Sequence, residues 1–188
     1  MTEELDVTQG KLVMGFRLGE CMEDPKPAPI FVFNSVFGSG TTSKLFVNVR
    51  ERLQLCYYAS SMISLQKGLL MVASGIEFDQ FETARDEILR QLDAIKAGEI
   101  SDEELRSAKA CIASDLRSYM DSQGELEGFY LSQALEGLEY GPMELAELVG
   151  DVTKDDIIRI AKSVECDMIY FLKGNGQGEE AENAAQSI

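Results

Sequence analysis

Apolar residues alternate along Lys11–Leu18 (KLVMGFRL) at Leu12, Met14 and Phe16, the period of a strand with one buried face. The loop Gly19–Pro29 carries three of the four prolines and reads as a connector. Ile30–Phe37 fits two patterns. Its aromatic and β-branched content favours a strand, whereas the apolar spacing Ile30, Phe33, Phe37 fits a helix ended by Gly38 or Gly40. Thr42 or Thr41 can N-cap a second helix, Ser43–Leu53, with Leu45, Phe46 and Val49 on one face and Asn48, Glu51 and Arg52 off it. Leu55–Ile63 and Leu69–Ile76 then read as two strands of a hairpin turning through Gln66, Lys67 and Gly68.

From Asp79 onward the period is helical. Asp79 with Glu82 has the form of a capping box, ahead of Phe81, Ala84, Ile88, Leu92 and Ile95 at spacings of three and four, and Gly98 ends the run. Ser101 with Glu104 is a second box, followed by Leu105, Ala108, Ile112, Leu116 and Tyr119. Glu125–Gly137 is a further helix; Pro142 opens another containing Leu145 and Leu148; Thr153 and Asp156 open a last one to about Val164. Asp167–Leu172 (DMIYFL) reads as a buried final strand. The expected organisation is a polar lead-in at 1–9, one α+β domain over 10–173 and a disordered tail at 174–188, where large apolar groups run out. The fold class is α+β, a largely antiparallel sheet with helices packed on one face.

Charge narrows the partners. A net charge of −16 argues against nucleic acid and against an anionic membrane surface, both of which need clustered Lys and Arg. No apolar run reaches the ~18–20 residues of a membrane span, and Met1 is followed by TEELD rather than an apolar signal core. Cys21, Cys56, Cys111 and Cys166 are too dispersed for a CxxC site and suit a reducing compartment. A cytoplasmic location is expected.

The densest chemistry lies in Asn34–Ser61 (NSVFGSGTTSKLFVNVRERLQLCYYASS). Its GSGTTSK turn lacks the GxxxxGK[ST] spacing of a phosphate loop, so a turn between two helices explains the glycines better than a nucleotide does. Arg50, late on a helix, and Tyr57, early on a strand, could converge as two donors for a peptide backbone. The plain alternative is a surface arginine and a packed tyrosine. Tyr58 is the neighbour of Tyr57, and adjacent strand residues face opposite sides. With no histidine in the chain and dispersed cysteines, no metal site and no catalytic residue is assigned.

The segment SKLFVNVRERLQLCYY, with Leu45, Phe46, Val49, Arg50, Glu51 and Tyr57, resembles the substrate-binding motif in the C-terminal half of the insulinase/pitrilysin family of zinc metallopeptidases, which includes the mitochondrial processing peptidases. The opening QGKLVMGFR, residues 9–17, is similar to the start of such a half, and the likeness spans about residues 9–173. It implies a LuxS/processing-peptidase-like half-repeat facing a second half across a chamber. The N-terminal half of the family carries the inverted zinc motif H-x-x-E-H; the C-terminal half contributes an Arg/Tyr pair, here Arg50 and Tyr57. The resemblance therefore implies a non-catalytic, substrate-binding domain of a metalloendopeptidase. It binds no cofactor itself, and zinc is expected in a partner half or homologous subunit. A proteolytically inactive structural or regulatory homologue is the alternative.

Overall fold

A computed structural model describes residues 1–19 and 27–175. Five strands, β1 (Thr2–Leu5), β2 (Gly10–Arg17), β3 (Cys56–Ser64), β4 (Leu69–Ile76) and β5 (Glu165–Gly174), form one sheet in the order β1-β5-β2-β4-β3. All neighbours are antiparallel except β1 and β5. The α+β class and the helices on one face are as the sequence implies.

The helical layer comprises α1 (Pro27–Asn34), α2 (Phe81–Lys96), α3 (Asp102–Ser118), α4 (Gln123–Glu136), α5 (Pro142–Asp151) and α6 (Lys154–Ser163). Two stretches, Ser35–Ser39 and Leu45–Arg52, are wider π-helix. Ile30–Phe37 is thus helical: Pro27 and Pro29 occupy the first turn of α1, where a missing N–H costs nothing. Leu12, Met14 and Phe16 of β2, with Leu70 and Val72 of β4, are fully buried and meet Ile30 and Phe33 of α1, Ile88 of α2 and Ile157 of α6 in a single core.

The boxes at Ser101/Glu104 and Thr153/Asp156 are both made. The expected Asp79/Glu82 box is not: Asp79 falls in a 3₁₀ turn, Phe78–Gln80, and Gln80 occupies the N-cap without a side-chain bond. Residues 2–5, inside the expected lead-in, form an edge strand. All four of its side chains are exposed, so backbone pairing with β5 makes the strand and no apolar pattern announces it. The Asn175 amide donates to the Leu5 carbonyl at 3.0 Å, so this edge extends past residue 174; the rest of the expected tail lies outside the described residues.

β5 is not the buried strand that DMIYFL suggests. Phe171 is buried, whereas Glu165, Cys166, Asp167 and Met168 are exposed. Continuous apolar runs mark strands covered on both faces, and here helices cover only one. On the open face the register aligns Met62, Met71, Gly15 and Met168 in one row across four strands.

Candidate functional site

The segment carrying Arg50 is fixed from three sides. Gly38 lets the turn after α1 close on β3: a Cβ there would lie 2.6 Å from Ser61 Oγ and 2.7 Å from Leu45 Cδ1. Ser61 Oγ donates to Asn34 Oδ1 at 2.7 Å, tying β3 to the end of α1. Ser43, rather than Thr41 or Thr42, accepts at the start of the next helix, from the Phe46 amide at 3.3 Å. Lys44 Nζ, nearly buried, lies 2.8 Å from Glu104 Oε1 on α3. Asn48 Nδ2 donates to Gln91 Oε1 on α2 at 3.1 Å, and Gln91 Nε2 donates to Glu87 Oε1 at 2.6 Å. Burial alone would push the Glu87 carboxyl up, but hydrogen bonds from Arg90 and Gln91 leave it below the usual glutamate value.

These clamps aim the π-helix Leu45–Arg52, whose end closes by an i→i−5 bond from the Leu53 amide to the Asn48 carbonyl at 3.2 Å. Arg50 is exposed, with its guanidinium 4.7 Å from the Phe46 ring centroid. Among the described residues it makes no hydrogen bond and no ion pair, so the donors of its planar fork are free while the ring holds its plane. Its charge reaches Cys56, the neighbour of Tyr57. Burial raises the Cys56 thiol; a Ser74 hydrogen bond and Arg50 pull the other way without overcoming it.

Tyr57 departs from simple alternation. The β3–β4 register shifts between Cys56 and Tyr58, pairing Cys56 with Ile76 and Tyr58 with Gly75, so Tyr57 is the extra residue of a bulge. Both tyrosines are therefore exposed. Tyr58 lies over Gly75, where a Cβ would sit 2.7 Å from Tyr58 Cε1. The Tyr57 hydroxyl donates to the Glu77 carboxylate, and that bond first, then the carboxylate's charge, raises the phenol above its ordinary value. The structure thus places Arg50 and Tyr57 at the same end of β3, each with its own support, Phe46 and Glu77. Glu77 carries no sequence signal. Gln91 does: it is a polar residue between Ile88 and Leu92 on the apolar stripe of α2.

Two other chemistries find no support in these residues. Lys44, the cation of the GSGTTSK turn, is held by Glu104 rather than presented to a phosphate. The chain has no histidine, and no three His, Cys, Asp or Glu of the described residues are grouped to hold a metal ion. Among the described residues no helix is long and apolar enough to cross a membrane.

The family model for the peptidase M16 inactive domain matches residues 2–111. The chain belongs to this family. The resemblance to the non-catalytic half of the insulinase/pitrilysin metallopeptidases is thereby confirmed. This M16 domain is 40% identical over 172 residues to the probable inactive metalloprotease YmfF of Bacillus subtilis, covering 92% of this chain and 40% of that protein. A conserved protein from Enterococcus faecalis superposes with a TM-score of 0.85 at 31% identity, over 94% of this chain and 42% of that one. A peptidase M16 inactive domain from Pseudomonas fluorescens shares the fold with a TM-score of 0.75 at 20% identity, over 92% of this chain and 42% of that one. The M16 domain therefore spans well under half the length of these relatives.

Proposed function

We propose that this M16 domain is the peptide-binding half of a zinc metalloendopeptidase, with Arg50 and Tyr57 hydrogen-bonding the substrate backbone opposite a zinc site carried by a partner half or subunit. The observation that carries this reading is the free guanidinium of Arg50, whose charge reaches Cys56, together with the bulge-displaced phenol of Tyr57, the next residue along β3. Both groups are protonated at neutral pH and act as donors, not bases. Arg50 suits a carbonyl through its fork, and Tyr57 can turn from Glu77 to a substrate oxygen. Zinc would be supplied by the partner and would polarise the scissile carbonyl there. The free thiols of Cys56, Cys111 and Cys166 support a cytoplasmic setting.

The test pairs the domain with its H-x-x-E-H partner and zinc, and follows hydrolysis of a fluorogenic peptide. Arg50→Ala and Tyr57→Phe are each expected to lower kcat/KM by about 10²-fold, the effect of losing one aligned donor. Unchanged hydrolysis by folded variants overturns the roles. A second reading, a binding module that cleaves nothing, is favoured by the name of the Bacillus subtilis relative, a probable inactive metalloprotease. It predicts a companion without H-x-x-E-H, no hydrolysis, and peptide binding that Arg50→Ala still weakens.

A further inference from the structure

A second concave site lies at the far end of β3 from Tyr57, where Ile63 and Leu65 meet α3 and α4 in a cleft of about 580 Å³. Three features of its lining bear on the chemistry of an occupant. Gln133 on α4 is 5% exposed, and its Oε1 has no hydrogen-bond partner among the described residues. A buried amide oxygen left unpaired costs about 1–3 kcal/mol, so a donor from outside the described residues, water or a partner's group, stabilises it.

The same cleft carries Asp115 and Glu125, both exposed, and the half-buried Glu136. None of the three is paired with a described Lys or Arg. Burial raises the Glu136 carboxyl, and burial followed by the charges of Asp115 and Glu125 raises the Tyr119 phenol between them.

Gly128 supplies the third feature. It lines the cleft in the interior of α4, yet a Cβ built on it meets nothing within 4 Å. Glycine there costs the helix about 1 kcal/mol against alanine, and no packing among the described residues demands it; what it provides is room. The remaining wall includes Leu116 and Phe129, which suit methylenes.

We propose that this cleft receives a basic side chain, arginine or lysine, presented by a partner polypeptide. Gln133 Oε1, Glu125 and Glu136 accept its N–H donors, and Leu116 and Phe129 cover its stem. The proposal does not rest on Arg50 or Tyr57. The test is amide NMR of the ¹⁵N-labelled chain titrated with acetyl-Leu-Arg-Leu-amide and with its norleucine analogue at low salt. The arginine peptide is expected to shift Gly128, Phe129 and Gln133 and to bind at least about tenfold tighter than the analogue. Glu125→Gln/Glu136→Gln should remove that difference. Gly128→Met, whose Cβ meets nothing within 4 Å and whose longer chain takes up the room, should abolish binding while the melting temperature is retained. Equal binding of the two peptides, no shifts in α3 or α4 at millimolar peptide, or undiminished binding to folded Gly128→Met overturns the proposal.

Discussion

Lys44→Met tests whether the helix that bears Arg50 is held from α3. The substitution keeps the aliphatic stem and deletes the ammonium, leaving Glu104 with its capping bond from the Ser101 amide at 2.7 Å but no counter-charge. Breaking a fully buried pair costs about 3–5 kcal/mol, and breaking an exposed one about 0–1 kcal/mol. With side-chain exposures of 9% for Lys44 and 25% for Glu104, this pair lies between those limits. A loss of about 2–3 kcal/mol is expected, read as a lower urea midpoint with an unchanged slope. Glu104→Gln should cost a similar amount by stranding the ammonium, and the double variant should cost less than the sum of the two, a coupling of about 1–2 kcal/mol. Acid sensitivity gives a second readout. Burial pushes Glu104 up, but hydrogen bonds from Lys44 and Ser101 outweigh it and leave the carboxyl below the ordinary glutamate value. A lowered folded pKa stabilises the fold above the ordinary value. That contribution fades as pH falls below about 4 and through the lowered value. Lys44→Met should flatten this acid limb. Costs that simply add in the double variant, or a Lys44→Met loss under about 0.5 kcal/mol, refute the reasoning.

Gly38→Ala drives a methyl against Ser61 Oγ and Leu45 and should lower stability by about 1–3 kcal/mol in a melt, whereas Gly124→Ala, which meets nothing, should leave it unchanged or higher; equal effects refute the close approach. Glu77→Gln should return the Tyr57 phenol from its raised value toward the ordinary tyrosine value near 10, followed by ring NMR against Tyr57→Phe; a wild-type Tyr57 already titrating there contradicts the Glu77 bond.

What the sequence discloses follows from how local each cause is. β2, the β3–β4 hairpin, and the caps Ser101/Glu104 and Thr153/Asp156 are written in alternation or in residues three apart, and they form as read. β1 is illegible because its cause is a partner 169 residues away, Phe171 pairing with Thr2. DMIYFL misleads because burial depends on whether the second sheet face is covered, which no strand records about itself. Asp79/Glu82 has the letters of a box, but the 3₁₀ turn Phe78–Gln80 moves the helix start past Asp79. At the candidate site Arg50 and Tyr57 are visible through their motif. The bulge that exposes Tyr57 beside Tyr58, and the Asn48–Gln91–Glu87 chain that anchors the helix, depend on contacts between distant segments.

The position of β5 has a consequence for how the molecule is made. The last strand is inserted between the first two, so the sheet cannot close until residues 165–174 have left the ribosome. Until then β2 is an open edge, its backbone paired on the β4 side alone. A nascent chain can assemble the hairpin and helices early, as local contacts form fast, but β1 has β5 as its strand partner, so β5 must pair with β2 before β1 can join the sheet. Chains cut short before that strand are left with an adhesive sheet edge.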